Sequence, residues 1–124
     1  SDACFTFRKQ GEPMKAHEVA ELLDAEILCG SPEVECRAGY SSDLLSDVMA
    51  NAEEGSALIT IQAHANTVAV ASHVDLPLIV VCNDRPVPEE MLEAARENNI
   101  AICRTSKDQF SSAGLLYARL QTGQ

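Results

Sequence analysis

SALITIQAHANTVAVASHVDLPLIVVCND, residues 56–84, contains two runs, 57–61 and 78–82, that are apolar at nearly every position. A strand covered on one face alternates apolar and polar residues, whereas a strand covered on both faces is apolar throughout. Parallel sheets sandwiched between helices are the usual setting for the second kind. Residues 100–103 make a third such run. Between the first two lies a small-residue helix, residues 67–74, for which Asn66 is the expected cap. The strand–helix–strand alternation predicts an α/β three-layer sandwich, with a mostly parallel sheet of about five strands and helices on both faces.

The pattern extends outward from this centre. Ala16, Val19, Ala20 and Leu23 fall on one helical face, and residues 26–29 read as a short strand closed by Gly30-Ser31-Pro32. Residues 33–38 alternate strictly, with Val34, Cys36 and Ala38 on one side, which predicts a half-exposed edge strand. Gly39-Tyr40 should then turn the chain. Ser41 or Ser42 should cap a helix with the stripe Leu44, Leu45, Val48, Met49 and Ala52, with Asp43 in its first turn. Pro88 suits the first position of a helix over 88–98, with Glu89 and Glu90 near its dipole. Ser106 and Gln109 form a capping box for a last helix whose expected core stripe is Phe110, Ala113, Gly114 and Tyr117.

At 124 residues the chain reads as a single domain over 14–124, preceded by a tail at 1–13 that is vector-derived or carries an extra strand at 4–7. Hydrophobic residues make up 46% and charged residues 23%, an ordinary globular balance. A net charge of −10 argues against nucleic acid or an anionic membrane as partner. No run approaches the ~20 apolar residues of a membrane span, and the N-terminus lacks a signal-peptide core. The five cysteines form no C-x-x-C pair, which reads as reduced thiols in the cytoplasm. Zinc at Cys29, Cys36 and His17 would match no standard ligand spacing, so no metal is expected.

With scarce aromatics and an Ala-rich core, the domain is expected to gain stability as a homodimer. Met49, Val70 and the Leu115-Leu116 pair are candidates for that surface.

In an open α/β sheet, ligands bind beyond the carboxyl ends of the strands. Ser42, Gln62, His64, Asn66, Arg85, Arg104 and Thr105 all follow predicted strand ends, and Arg37, Arg85 and Arg104 are three of only six arginines. Uncharged donors with an arginine or two suit a small anion or a nucleotide. Taken singly, Ser42, Asn66 and Ser106 have helix capping as their default role, and His64 that of a hydrogen-bonded loop residue. Arg85 and Arg104 are equally readable as solvated charges. Asp43 and Asp47 stand one helical turn apart, a spacing that solvation explains more often than a metal does. There is no phosphate loop, dinucleotide fingerprint or nucleophile elbow, so no catalytic residue is assigned and kinase activity is not expected.

Two long stretches carry a resemblance. YSSDLLSDVMANAEEGSALITIQAHANTVAVA and LIVVCNDRPVPEEMLEAARENNIAICRTSKDQF contain an S-D-L-L-S-D-V helix, a small-residue helix, a P-x-E helix start and a closing I-x-I-x-x-T. In this order they resemble the DRTGG-domain family, from about Met14 to the C-terminus. The letters that name the family are not intact: the expected T-G-G position reads Cys82-Asn83-Asp84. The resemblance implies a fold like the N-terminal domain of HPr kinase/phosphorylase. Members occur alone or fused to CBS modules, to a phosphotransacetylase or to family II pyrophosphatases. It implies a non-catalytic regulatory or scaffold domain with a small-anion or adenine-nucleotide cleft and no cofactor. The alternative is an interaction subunit of a larger complex, such as a hydrogenase-associated one. A phosphoryl- or acyl-transfer enzyme using His64 and the arginines is the weaker reading.

Overall fold

The computed structural model describes residues 11–122, with side chains to 121; the strand expected at 4–7 lies outside the described residues. The elements, in chain order, are β1 (Met14–Lys15), α1 (Ala16–Leu23), β2 (Glu26–Cys29), β3 (Glu35–Cys36), β4 (Ala38–Ser41) and α2 (Leu45–Asn51). There follow β5 (Ser56–Thr60), α3 (Ala65–His73), β6 (Leu78–Val81), α4 (Glu89–Glu97), β7 (Ala101–Arg104) and α5 (Gln109–Thr122). The main sheet has the order β2-β7-β6-β5-β4, with β4, β5, β6 and β7 parallel and β2 antiparallel to β7. The short strands β1 and β3 pair separately.

Both faces of the central strands are covered, as their unbroken apolar runs require. Ala57, Ile59, Leu78, Val80, Ala101 and Cys103 face the core that also holds Val19 and Leu23 of α1 and Leu116 and Leu120 of α5. Leu58, Ile79, Val81 and Ile102 alternate to the other side, against Val48 of α2, Val68 of α3 and Met91 of α4. The result is the expected three-layer sandwich. Cys29 and Cys36 belong to opposite cores, so they cannot share a metal. Cys29, Cys36, Cys82 and Cys103 are buried free thiols, and burial pushes that of Cys103 up to about 12.

Several local expectations need correcting. The alternation at 33–38 is real in burial, but it is not one strand: Glu35–Cys36 pairs with β1, Ala38 opens β4, and β4 is the sheet edge. Gly39-Tyr40 does not turn; it lies inside that strand. A Cβ on Gly39 would come within 3.3 Å of the Leu116 side chain, so the glycine lets α5 approach the sheet. Helix α2 begins after Leu44, and Ser42 forms a local turn, its Oγ accepting from Leu44 N at 3.2 Å. Leu44 and Met49 are exposed, and Val48 alone of the α2 helix is buried. Helix α3 is capped by His64, whose Nδ1 accepts from Asn66 N at 3.0 Å, and not by Asn66.

The start and phase of α5 also differ from expectation. Asp108, not Ser106, holds its first turn, with Oδ1 accepting from Ser111 N at 2.8 Å. Ser112, Leu116 and Leu120 face inward, while Phe110 and Tyr117 are exposed. The helix is apolar on two sides, and its pattern could not say which one the sheet takes.

Candidate functional site

Loops leaving the carboxyl ends of β4, β5, β6 and β7 collect along one edge of the sheet, and one carboxylate organises part of it. Asp43 Oδ1 accepts from Thr60 Oγ1 at 2.8 Å, from Ile61 N at 2.9 Å and from Gln109 Nε2 at 3.1 Å. The Asp43 carbonyl accepts from Gln62 Nε2 at 3.1 Å. The loops after β4 and β5 and the first turn of α5 therefore close on a single residue. Thr60 is fully buried. Its hydroxyl donates to Asp43 and accepts from Gln62 N at 3.0 Å, so neither function is orphaned.

Of the candidate residues, Ser42 and Gln62 meet through this junction. Ser42 N extends the β4–β5 ladder to Ile59 O, and Gln62 O accepts from Thr67 Oγ1 at 2.8 Å, anchoring the start of α3. Nδ1 of His64 is used as acceptor, so Nε2 is the ring nitrogen left to meet a ligand. Asn66 is exposed beside it in the first turn of α3. Arg85 is exposed in the loop after β6, where Asn83 and Asp84 both take left-handed backbone conformations.

Arg104 and Thr105 stand apart from this group. Arg104 ends β7, three strand spacings from β4, or about 14 Å, and its guanidinium lies 4.0 Å from Glu26 on β2. Thr105 is buried, donates to Leu23 O at 2.7 Å and accepts from Lys107 N at 3.1 Å, a structural role. The residues of this junction that sequence reasoning missed are Asp43 in its bridging role and Gln109. A polar Thr60 ending an otherwise apolar run was the available clue, since a buried hydroxyl demands a partner.

Two cavities adjoin the edge. One of about 310 Å³ lies between β4 and α5, lined by Tyr40, Ser41, Glu53, Leu116, Tyr117 and Gln121 among others. A groove of about 400 Å³ is lined by Ser41, Gln109, Phe110, Ala113, Gly114 and Tyr117. Tyr40 donates to Asp47 Oδ2 at 2.8 Å and Asn51 Nδ2 donates to Asp47 Oδ1 at 2.9 Å, which ties β4 to α2. Bonds from Ser42, Tyr40 and Asn51 hold the Asp47 carboxyl below its ordinary value.

At the start of α5, bonds from the Ser111 backbone and then its hydroxyl hold the Asp108 carboxyl below its ordinary value of 3.8. A depressed carboxylate adds stability above its unfolded pKa and loses it as pH falls through the folded one. The Tm advantage of wild type over Asp108→Ala should therefore be constant at neutral pH and shrink below pH 3.8. Asp108→Asn, which keeps an acceptor without titrating, should lack that decline. An advantage independent of pH would refute the capping role.

The DRTGG domain profile matches residues 18–118, and the chain belongs to this family. It is 27% identical over 107 residues to a probable manganese-dependent inorganic pyrophosphatase of Thermotoga maritima. That match covers 84% of this chain but spans only 19% of the relative's length. Among solved structures, the fold is similar to the CBS and DRTGG domains of the regulatory region of Clostridium perfringens pyrophosphatase, complexed with the activator diadenosine tetraphosphate. The TM-score is 0.64 at 20% identity, over 83% of this chain and 44% of that one. No helix among the described residues is long and apolar enough to cross a membrane.

Proposed function

We propose that the chain is a non-catalytic regulatory domain, homodimeric, that responds to a small anionic ligand of the adenine-nucleotide class at the carboxyl edge of its sheet. The observation that carries this reading is the Asp43 junction. A ligand that engages Gln62 touches a residue bonded to Asp43, and through Asp43 to Thr60 and α5. Exposed Asn66 and Arg85 follow the ends of β5 and β6 and supply donors at the same sheet edge, with Nε2 of His64 beside Asn66, as anion recognition requires. Membership of the family supports the regulatory role, and the nucleotide bound by the similar pyrophosphatase region supports the ligand class. Four buried free thiols suit a reducing compartment, and we place the domain in the cytoplasm.

A thermal-shift series with AMP, ATP, diadenosine tetraphosphate and inorganic phosphate tests the ligand. A ligand at a hundred times its Kd stabilises by about 2.7 kcal/mol, several degrees in a domain of this size. The Gln62→Ala/Asn66→Ala double variant should fold normally and lose that shift. Because His64 provides the cap, the Asn66 change carries no capping penalty. No shift with any of the four compounds would remove the nucleotide reading. The second reading, an interaction subunit of a larger complex such as a hydrogenase-associated one, is favoured by the exposed apolar side of α5.

A further inference from the structure

We infer that the outer face of α5 is the self-association surface, and that it receives α5 of a second copy running antiparallel about a twofold axis between Ala113 and Gly114. This deepens the homodimer part of the function proposed above and rests on that reading, though on observations other than those that carry the nucleotide site. Phe110 is 88% exposed and Tyr117 67%, although the inner side of the same helix is already committed to the core through Ser112, Leu116 and Leu120. A helix apolar on both sides belongs between two layers, and the described residues provide only one.

The outer face is complementary to itself. Phe110 and Tyr117 flank the small pair Ala113-Gly114 at equal distances along the helix. Reversing the helix about the midpoint of that pair brings Phe110 against Tyr117 of the second copy, and Ala113 against its Gly114. Two small residues at the centre allow close approach of the backbones, and a ring closes each end. A twofold interface needs such a patch, in which each residue meets its counterpart's partner. The groove of about 400 Å³ that runs past Phe110, Ala113, Gly114 and Tyr117 is the space such a ring would enter.

Charge selects the same face. The chain carries 19 acidic residues and a net charge of −10, so two copies repel over most of their surfaces. QFSSAGLLYARLQT, the whole of α5, contains no acidic residue and one base, Arg119. Area points the same way. Aromatic side chains bury about 150–250 Å² each, so the exposed parts of four rings supply on the order of 600 Å². The edge of β4 beside the groove, which no other described strand covers, extends the patch toward the ~1,200 Å² at which specific interfaces begin.

Sedimentation equilibrium on the 124-residue chain is the test, with Gly114→Gln and a Phe110→Ser/Tyr117→Ser double variant. A Cβ at Gly114 meets nothing within 4 Å in the single chain, and glutamine is the better helix former, so Gly114→Gln should fold at least as well as wild type. At an interface centre, the same side chain would hold the helices apart. The expected result is a wild-type dimer whose Kd weakens about 30-fold or more in each variant, with unchanged circular dichroism. A dimer that keeps its Kd in both variants overturns this surface but leaves a homodimer standing. A wild-type monomer at 100 µM, as a loading concentration of about that order, overturns both. A dimer that appears only after residues 1–10 are deleted also overturns the proposal, since that segment would then be the occupant. The thermal-shift series is scored separately, so loss of ligand binding is not confused with loss of the dimer.

Discussion

Asp43→Ala is expected to destabilise the domain by about 2–4 kcal/mol, the largest effect of any change at the sheet's carboxyl edge. Hydrogen bonds to a charged acceptor are worth about 1.5–3 kcal/mol each, and bonds sharing one acceptor oxygen do not add fully. The substitution leaves the Thr60 hydroxyl and the Ile61 amide without their acceptor, and Thr60 is sealed from water. In a domain of this size the Tm should fall by roughly 10 °C. Asp43→Asn keeps an oxygen but not the charge, and should lose about half as much. Urea unfolding of the three proteins measures the series. Equal stability of wild type and Asp43→Ala would mean that the junction contributes nothing. The Asp43→Ala variant should also give a smaller nucleotide-induced thermal shift, because Ile61, next to Gln62, and Gln109 of α5 would lose the carboxylate they share.

Gly30→Ala should be at least as damaging, by about 3–5 kcal/mol, through a different cause. Gly30 follows β2 with φ +89°, a conformation that side chains rarely adopt. An added Cβ would lie 2.5 Å from Ala101 Cα and 2.9 Å from Ile100 O. Those are backbone atoms at the start of β7, so relief requires parting β2 from β7. Strain and overpacking thus combine. Gly11→Ala separates the two: Gly11 has φ +82°, and nothing lies within 4 Å of its Cβ position. It should cost only about 1 kcal/mol. Similar losses at both positions would show that backbone strain alone governs and that the close approach of β2 and β7 has little weight.

The central layer can be read from the residues of each segment alone. Strands β5, β6 and β7 are legible because burial on both faces demands an apolar residue at every position, and no nearby alternation competes with that reading. Helices α1 and α4 are legible for a related reason, since each has one apolar stripe opposite a polar side. Family membership was readable as well, because the order of motifs survives where the family's naming letters do not.

Contacts between distant segments settle the other elements. A Gly-Tyr pair signals a turn locally, yet Gly39 lies in an edge strand because Leu116 packs against it from 77 residues away. Asp43 looks like a helix-start acid until the sheet brings Thr60 and Gln109 to it, 17 and 66 residues distant. The phase of α5 was not encoded in its own pattern. A helix apolar on two sides turns inward whichever face fits the sheet, and the other face is left uncovered by the described residues. Local sequence sets the conformations a segment can adopt, and contacts between segments far apart in the chain select among them.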